Sequence, residues 1–513
     1  MLGKVVKFFC GVCDNIIGLC MLLATAFVLV LNLFYTSSVA YVWTEDVSIT
    51  KASWVPIVFV PVLFVLFFFL QKFLVKVEEK YLFAVLSVCY LAAGLYWVFN
   101  ISPELRFDAY SVHEAAVLFL KGDYSYFMYG EYLYQNEHQL GIVTYEALLG
   151  LISTDVRFQY FVNLLEIIGI NFVSWRLSDM CFGHNHKTNL FVILITFLFL
   201  PQFFFLAFAY GIIPGLFFLL CAFWFQQCYF KTRKKCFVVL CVLFTTLAAA
   251  VKGNNIIGAI AIAILFFLQM LKEKKIRHLL FALLVMLCAG MIGDAITSFY
   301  EWKTGMELSG GKPMLLYIVM GTEPNNQANA PGWFNGYNDW AFSEAGYDPE
   351  KAKEIAKNTL KDTIYTYHDH PDWMISFFTG KLESIWCDQL YESLWSGPLP
   401  DVDFLSNTQF LNDMYSGKSA EPYVACFMKA FMILMFALAV LSACSRQNQK
   451  QDCNYLYLYF VGGFLLHILW EAKSQYVYPY VFVMLPCCAH ELSVLCDKLE
   501  VFLAKRREAQ AVK

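Results

Sequence analysis

The feature that most constrains this chain is a series of twelve apolar runs, each about long enough to cross a bilayer. A helix needs about 20 mostly apolar residues to span roughly 30 Å of hydrocarbon. The runs are Ile16–Tyr35, Val55–Leu74, Tyr81–Phe99, Phe158–Trp175, Asn189–Phe208 and Gly211–Phe230, then Cys236–Val251, Asn255–Leu271, Leu279–Thr297, Tyr423–Cys444, Tyr455–Glu471 and Tyr476–Cys496. A thirteenth, His138–Ser153, is short and carries Glu146. Composition agrees: 59% of the 513 residues are hydrophobic and 15% charged, against roughly 45–50% and 25% in soluble domains. A soluble globular protein and a disordered tail are excluded. The expected fold class is an all-α polytopic membrane protein with about twelve transmembrane helices, interfacial helices and a mainly helical outer loop domain.

Charge asymmetry sets the count and the orientation. Basic clusters lie at Lys4/Lys7, Lys72–Lys80, Arg176–Lys187, Lys231–Lys235, Lys272–Arg277, Arg446–Lys450 and Lys498–Lys513, and hold more than half of the 37 Lys and Arg. Twelve crossings put all of them on one face, which the positive-inside rule makes cytoplasmic. A full crossing at His138–Ser153 would send two of the clusters outside, so that run is expected to be a helix at the outer interface. Both termini are then cytoplasmic, and the first run is read as a retained anchor rather than a signal peptide. The expected organisation is three N-terminal spans (1–99), a first outer loop (100–157), a transmembrane core (158–297), a large outer loop (298–422), three C-terminal spans (423–496) and a basic tail (497–513). The two outer loops carry 8 acids against 3 bases and 18 against 8. An acidic outer surface excludes nucleic acid as a partner; membrane lipids are the expected surroundings.

Three segments on the outer side carry chemistry. The first outer loop contains Arg106-Phe-Asp-Ala-Tyr-Ser-Val-His and then Asn136-Glu-His-Gln-Leu-Gly. Asp108 lies about eight residues from a membrane exit, before an amphipathic run of Val112, Ala115, Ala116 and Phe119. A carboxylate there can be partly desolvated and suited to accept a proton. Equally, Asp favours helix N-caps, and the spacing leaves both roles open. Lys252, in Val251-Lys-Gly-Asn-Asn255, is a lone cation in a short outer hairpin. Such a cation can hold a phosphate or lipid headgroup, with Gly253 letting backbone amides approach, or can simply snorkel. The third segment is Trp470-Glu-Ala-Lys-Ser-Gln-Tyr-Val-Tyr-Pro-Tyr480, where Glu471 and Lys473 are close enough in sequence to pair and so make charge near hydrocarbon tolerable.

Other features are weaker. Asp348-Pro349 is expected to open a helix to about Tyr367, and Pro371 a second through Asp388. The tract Gly321–Tyr337, with its amides and Trp333, has the chemistry of a sugar-binding loop. Cys10-Gly-Val-Cys13 has no second pair nearby, and the other cysteines, most of them within spans, offer no disulfide framework. His368-Asp-His-Pro-Asp372 and His184-Asn-His186 lack a further ligand at metal spacing. Asp401-Val-Asp403 lacks the Gly-rich turn of a nucleotide pocket.

Asp108, His138-Gln-Leu-Gly141, Lys252-Gly253 and Gln475-Tyr-Val-Tyr-Pro479, in this order, resemble the GT-C superfamily of integral-membrane glycosyltransferases, in particular its protein O-mannosyltransferase and aminoarabinose transferase branch. Gln139-Leu140 replaces a Pro-Pro step, Phe208–Pro214 replaces a hairpin that often carries an acid, and Gln475 stands where Arg is common. The resemblance implies transfer of a sugar from a polyprenyl-phosphate donor to a hydroxyl of a glycan, lipid or protein on the extracytoplasmic side of the cell membrane, inverting the anomeric carbon. It implies Asp108 as general base, Lys252 and Lys473 at the donor phosphate, and His138, Gln139, Asn254, Glu471, Gln475, Tyr476 and Trp333 as substrate-binding residues. These residues make no cofactor certain, and a divalent cation is left open. The rival readings are a lipid-linked glycan flippase or transporter, built on Glu166, Asp294, Lys429 and His467 within the spans, and a glycan polymerase or ligase, against which the absence of Arg from residues 298–422 counts.

Overall fold

A computed structural model describes residues 2–324, 330–398, 407–445 and 453–511. The Arg446–Lys450 cluster and Asp401-Val-Asp403 lie outside the described residues. Among those described, nine helices are long and apolar enough to cross a membrane: Cys10–Phe34, Trp54–Leu74, Glu79–Asn100, Val156–Cys181, Ile212–Thr232, Gly253–Glu273, Arg277–Thr304, Glu421–Ser445 and Ser474–Gln510. His186–Leu198 and Leu200–Ala207 pass the same test together as a pair bent by 51°, the geometry of a broken span or a re-entrant loop. Pro201, in the first turn of the second piece, has no N–H to continue the ladder. Cys236–Val251 and Asn454–Leu469 are shorter apolar helices. Each of the twelve apolar runs is therefore helical, and the protein is an all-α polytopic membrane protein. Long apolar side chains such as Val58, Val62, Leu66, Phe69 and Phe73 face outward from one helix, a surface stable only against lipid.

His138–Ser153 yields the helix Leu140–Gly150, about 16 Å long at 1.5 Å per residue and too short to cross. Its acid is held through one oxygen: Glu146 Oε2 accepts a hydrogen bond from Gln159 Nε2 at 3.0 Å and faces His113 Nδ1 at 3.1 Å, while Oε1 is buried with no partner among the described residues. This helix docks on Cys236–Val251 so closely that a Cβ on Gly141 would lie 1.9 Å from the Ala250 carbonyl oxygen. Gly141→Ala is expected to force the two helices apart at a cost of about 1–3 kcal/mol, read as a lower melting temperature in detergent.

Two features depart from the expectation. The loop after the first span is a β-hairpin, β1 (Tyr35–Val39) and β2 (Val47–Lys51), paired antiparallel with Tyr35 opposite Lys51 and Val39 opposite Val47. Tyr-Thr-Ser-Ser-Val and Val-Ser-Ile-Thr-Lys are rich in strand-favouring residues, but such short strands are hidden between two spans. The Ser37 N–H donates to the Cys387 carbonyl at 3.1 Å, fastening the hairpin to the large loop. The last helix also runs on through the basic tail, from Ser474 to Ala511, because nothing in Val501–Gln510 breaks it. Within the large loop Asp348 caps the helix Pro349–Asp369 and a second helix spans Pro371–Trp386, as the prolines indicate.

Candidate active site

The three chemistry-bearing segments meet. Asp108 lies in the first turn of the helix Phe107–Leu120, whose N-cap is Arg106. It does not cap the helix; its exposed carboxylate accepts a hydrogen bond from the Tyr132 hydroxyl at 2.9 Å. Lys252 ends the helix Cys236–Val251, and its ammonium lies 4.3 Å from the Tyr210 ring centroid and 5.1 Å from that of Tyr476. A single 3-10 turn, Gly253–Asn255, returns the chain and holds Asn254 half-buried. Gln139 Nε2 donates to the Tyr210 hydroxyl at 2.6 Å. The His138 ring meets Tyr317 edge-on at 5.8 Å, and Tyr317 stacks on Trp470 at 5.4 Å. Gln475 enters through its backbone, whose N–H donates to Glu392 Oε2 at 2.9 Å.

One expected pairing is revised. The direct ion-pair partner of Lys473 is Glu45, at the tip of the hairpin, rather than Glu471. The pattern of charge ties the groups together all the same. Burial pushes the Lys252 ammonium down to about 8; Asp108 and Glu471 pull it back up, while Lys473 pushes it further down. Burial also lifts Glu471 to about 7, with the Lys473 and Lys252 ammoniums opposing and the Glu45 and Asp108 carboxylates adding to the rise. For Lys473, burial works against the charge, but Glu45, Glu471 and Glu392 more than offset it and hold the ammonium well above its ordinary value. His138 is accessible yet ringed by protein, and that desolvation holds it at about 4 despite the Asp108 charge. Asp108, Lys252, Glu471 and Lys473 thus act on one another's charge, among tyrosines that burial and neighbouring carboxylates keep protonated.

The Trp470–Lys473 strip is held from below. Lys381, fully buried, donates to the carbonyls of Gly321 at 2.5 Å, Ile468 at 3.1 Å and Trp470 at 2.6 Å. The Ala472 N–H donates to the Gly332 carbonyl at 2.7 Å. A Cβ on Gly321 would lie 2.4 Å from the Leu469 carbonyl oxygen, so only glycine lets the loop approach the helix end this closely. Trp333 belongs to this support. It is 1% exposed and its indole N–H donates to Ser384 Oγ at 2.8 Å. Its ring is therefore not a face open to a sugar, which corrects its place among the substrate-binding residues.

Sequence reasoning missed Tyr132, Tyr210, Tyr317, Glu45 and Glu392. Only Glu45 carries a usable signal, as an acid in a short loop between spans. The other histidine pairs have local partners: His184 faces Asp179 at 2.8 Å, His186 faces Glu79 at 2.9 Å, and His370 stacks on Trp373 at 4.4 Å. Among the described residues no group of three or more His, Cys, Asp or Glu is set to hold a metal ion.

The fold is that of a polytopic membrane protein in which Asp108, Lys252 and the Trp470–Lys473 strip come together at helix ends. No family model and no curated protein matches the chain. Among solved structures it is similar to ArnT from Cupriavidus metallidurans bound to undecaprenyl phosphate, at 14% identity, with 80% of this chain and 77% of that chain covered and a TM-score of 0.36. No residue role follows from a likeness of that size.

Proposed function

We propose that the protein is a membrane glycosyltransferase that moves a sugar from a polyprenyl-phosphate donor to an acceptor hydroxyl on the extracytoplasmic side, with inversion. The observation that supports this reading is that Asp108 and Lys252 lie close enough for the charge of one to act on the other, although 144 residues separate them in the chain. The Asp108 carboxylate takes the proton of the acceptor hydroxyl as its oxygen attacks the anomeric carbon. The bond from that carbon to the phosphate oxygen breaks, and its electron pair stays on the phosphate. Lys252 and Lys473 stabilise that charge, which develops as the bond lengthens. The tyrosine rings around Lys252 restrict water and strengthen the interaction.

The test is to incubate the purified chain with a panel of polyprenyl-phosphate sugars and follow release of polyprenyl phosphate. Release that disappears when Asp108 or Lys252 is changed supports the reading, and no release from any donor overturns it. Lys252 must be protonated to act, and its ammonium sits at about 8, so the rate is expected to fall as pH rises through that value. Lys252→Arg should move this alkaline limb upward, since guanidinium stays charged. A limb that does not move in that variant would assign the pH dependence elsewhere. Because two ammoniums already face the leaving phosphate, transfer is expected to persist in EDTA. Loss restored by added magnesium or manganese would instead place a divalent cation in the cleft.

A transport reading draws less support. Lys429 donates to Asn32 Oδ1 at 2.9 Å and the Tyr35 carbonyl at 2.6 Å and Glu166 Oε1 accepts from the Tyr145 hydroxyl at 2.8 Å, while Glu166 Oε2 and both His467 ring nitrogens are buried without a hydrogen-bond partner among the described residues. Two cavities, of about 350 and 380 Å³, are lined by loops and helix ends rather than by helix middles.

A further inference from the structure

The end of the bundle away from Asp108 and Lys252 carries a concentration of charge of its own. Helix Cys236–Val251 begins beside Lys235 and ends at Lys252, a rise of about 24 Å at 1.5 Å per residue. At its far end two short loops meet. Residues 233–235 join helix Ile212–Thr232 to Cys236–Val251, and residues 274–276 join Ile256–Glu273 to Arg277–Thr304. Lys231–Lys235 and Lys272–Arg277 together hold eight bases and one acid. That acid, Glu273, ties the loops together: it pairs with Arg233 across the gap and with Lys275 at 3.2 Å, and faces His278 Nε2 at 3.1 Å. Lys234, Lys235 and Lys274 are exposed and, among the described residues, their side chains make neither an ion pair nor a hydrogen bond.

Like charges gathered this closely repel one another, and the two helices that start here sharpen the conflict. A helix N-terminus favours an anion, yet neither Cys236–Val251 nor Arg277–Thr304 has an acid in its first turn or a side-chain cap. One carboxylate among eight bases leaves a surplus that calls for an anion from outside. The flanks say what kind of anion can reach it. The two helices pack against each other, and beyond the loops they turn Val239, Leu243, Leu280, Leu283 and Leu287 outward, a surface stable only against lipid. A molecule that fits both features has an anionic head level with the loops and apolar chains beside the helices.

We propose that this patch is a binding site for an anionic phospholipid, whose phosphate lies among Lys234, Lys235 and Lys274 and whose chains run along the two exposed helix faces. The site stands whether or not the protein transfers sugars. To test it, the full-length protein in detergent is mixed with equal amounts of phosphatidylglycerol and phosphatidylcholine of the same chain length, and the retained lipid is counted by native mass spectrometry. Phosphatidylglycerol is expected to be preferred about a hundredfold, three ammoniums contributing about fivefold each. Lys234→Gln combined with Lys274→Gln removes one charge from each loop and should lower that preference about 25-fold on the same scale. The melting temperature should stay level, because both side chains are exposed and unpaired. Lys505→Gln combined with Arg507→Gln removes as much charge from exposed positions on the last helix and should leave the preference unchanged. Equal loss in the two double variants would show diffuse attraction to every basic segment and overturn the site, as would equal retention of the two lipids by the wild type. Displacement of phosphatidylglycerol by millimolar glycerol phosphate would make a soluble phosphate the ligand and overturn the lipid assignment.

Discussion

Replacing Asp108 with Asn is expected to slow sugar transfer by on the order of 10²–10⁴-fold, the range typical of a positioned general base. That loss corresponds to about 3–5 kcal/mol of transition-state stabilisation at 1.36 kcal/mol per decade. The alternative role, an acid favourably placed in the first turn of a helix, is worth typically about 0.3–1 kcal/mol. It would appear as a small drop in melting temperature rather than a loss of rate. The two roles are separable because Asp108 is exposed, and the hydrogen bond it accepts from Tyr132 can also be accepted by an Asn oxygen. Unchanged folding with a collapsed rate is the expected pair of results. Transfer at near wild-type rate in Asp108→Asn would remove it from the chemistry.

Lys252→Gln should reduce kcat/KM by on the order of 10²–10³, comparable to removal of one donor from a developing oxyanion. The structure also gives this variant an unusual stability signature. Among the described residues Lys252 makes no ion pair within 4 Å, and burial disfavours its charge. A neutral side chain therefore relieves desolvation. The melting temperature of Lys252→Gln is expected to stay level or rise while activity falls, the trade-off seen where a site is strained for function. A fall in both together would identify Lys252 as a structural residue, its ammonium needed over the Tyr210 and Tyr476 rings for packing.

The spans were legible because apolar length is a direct requirement of the bilayer, and Lys252 because it broke the charge pattern. Asp108 was legible only as one of two alternatives, since position in sequence does not say whether a side chain caps its own helix or turns away from it. The tyrosines were hidden for a different reason. Tyr210 and Tyr317 stand among 30 tyrosines in the chain, and at a membrane interface this residue is expected everywhere. Pairing Lys473 with Glu471 followed from proximity in sequence, but the hairpin brings Glu45 to Lys473 across 428 residues. Trp333 was misplaced because a turn-rich polar tract reads as open loop. In fact the close approach of Gly321 and Gly332 to the Leu469–Ala472 backbone draws the indole inward.

The Glu45–Lys473 pair also bears on how the protein is made. The hairpin follows the first span and the lysine precedes the last, so the pair forms only after nearly the whole chain has been synthesised. A chain that ends before Lys473 could not form this pair, and the Trp470–Lys473 strip would be incomplete.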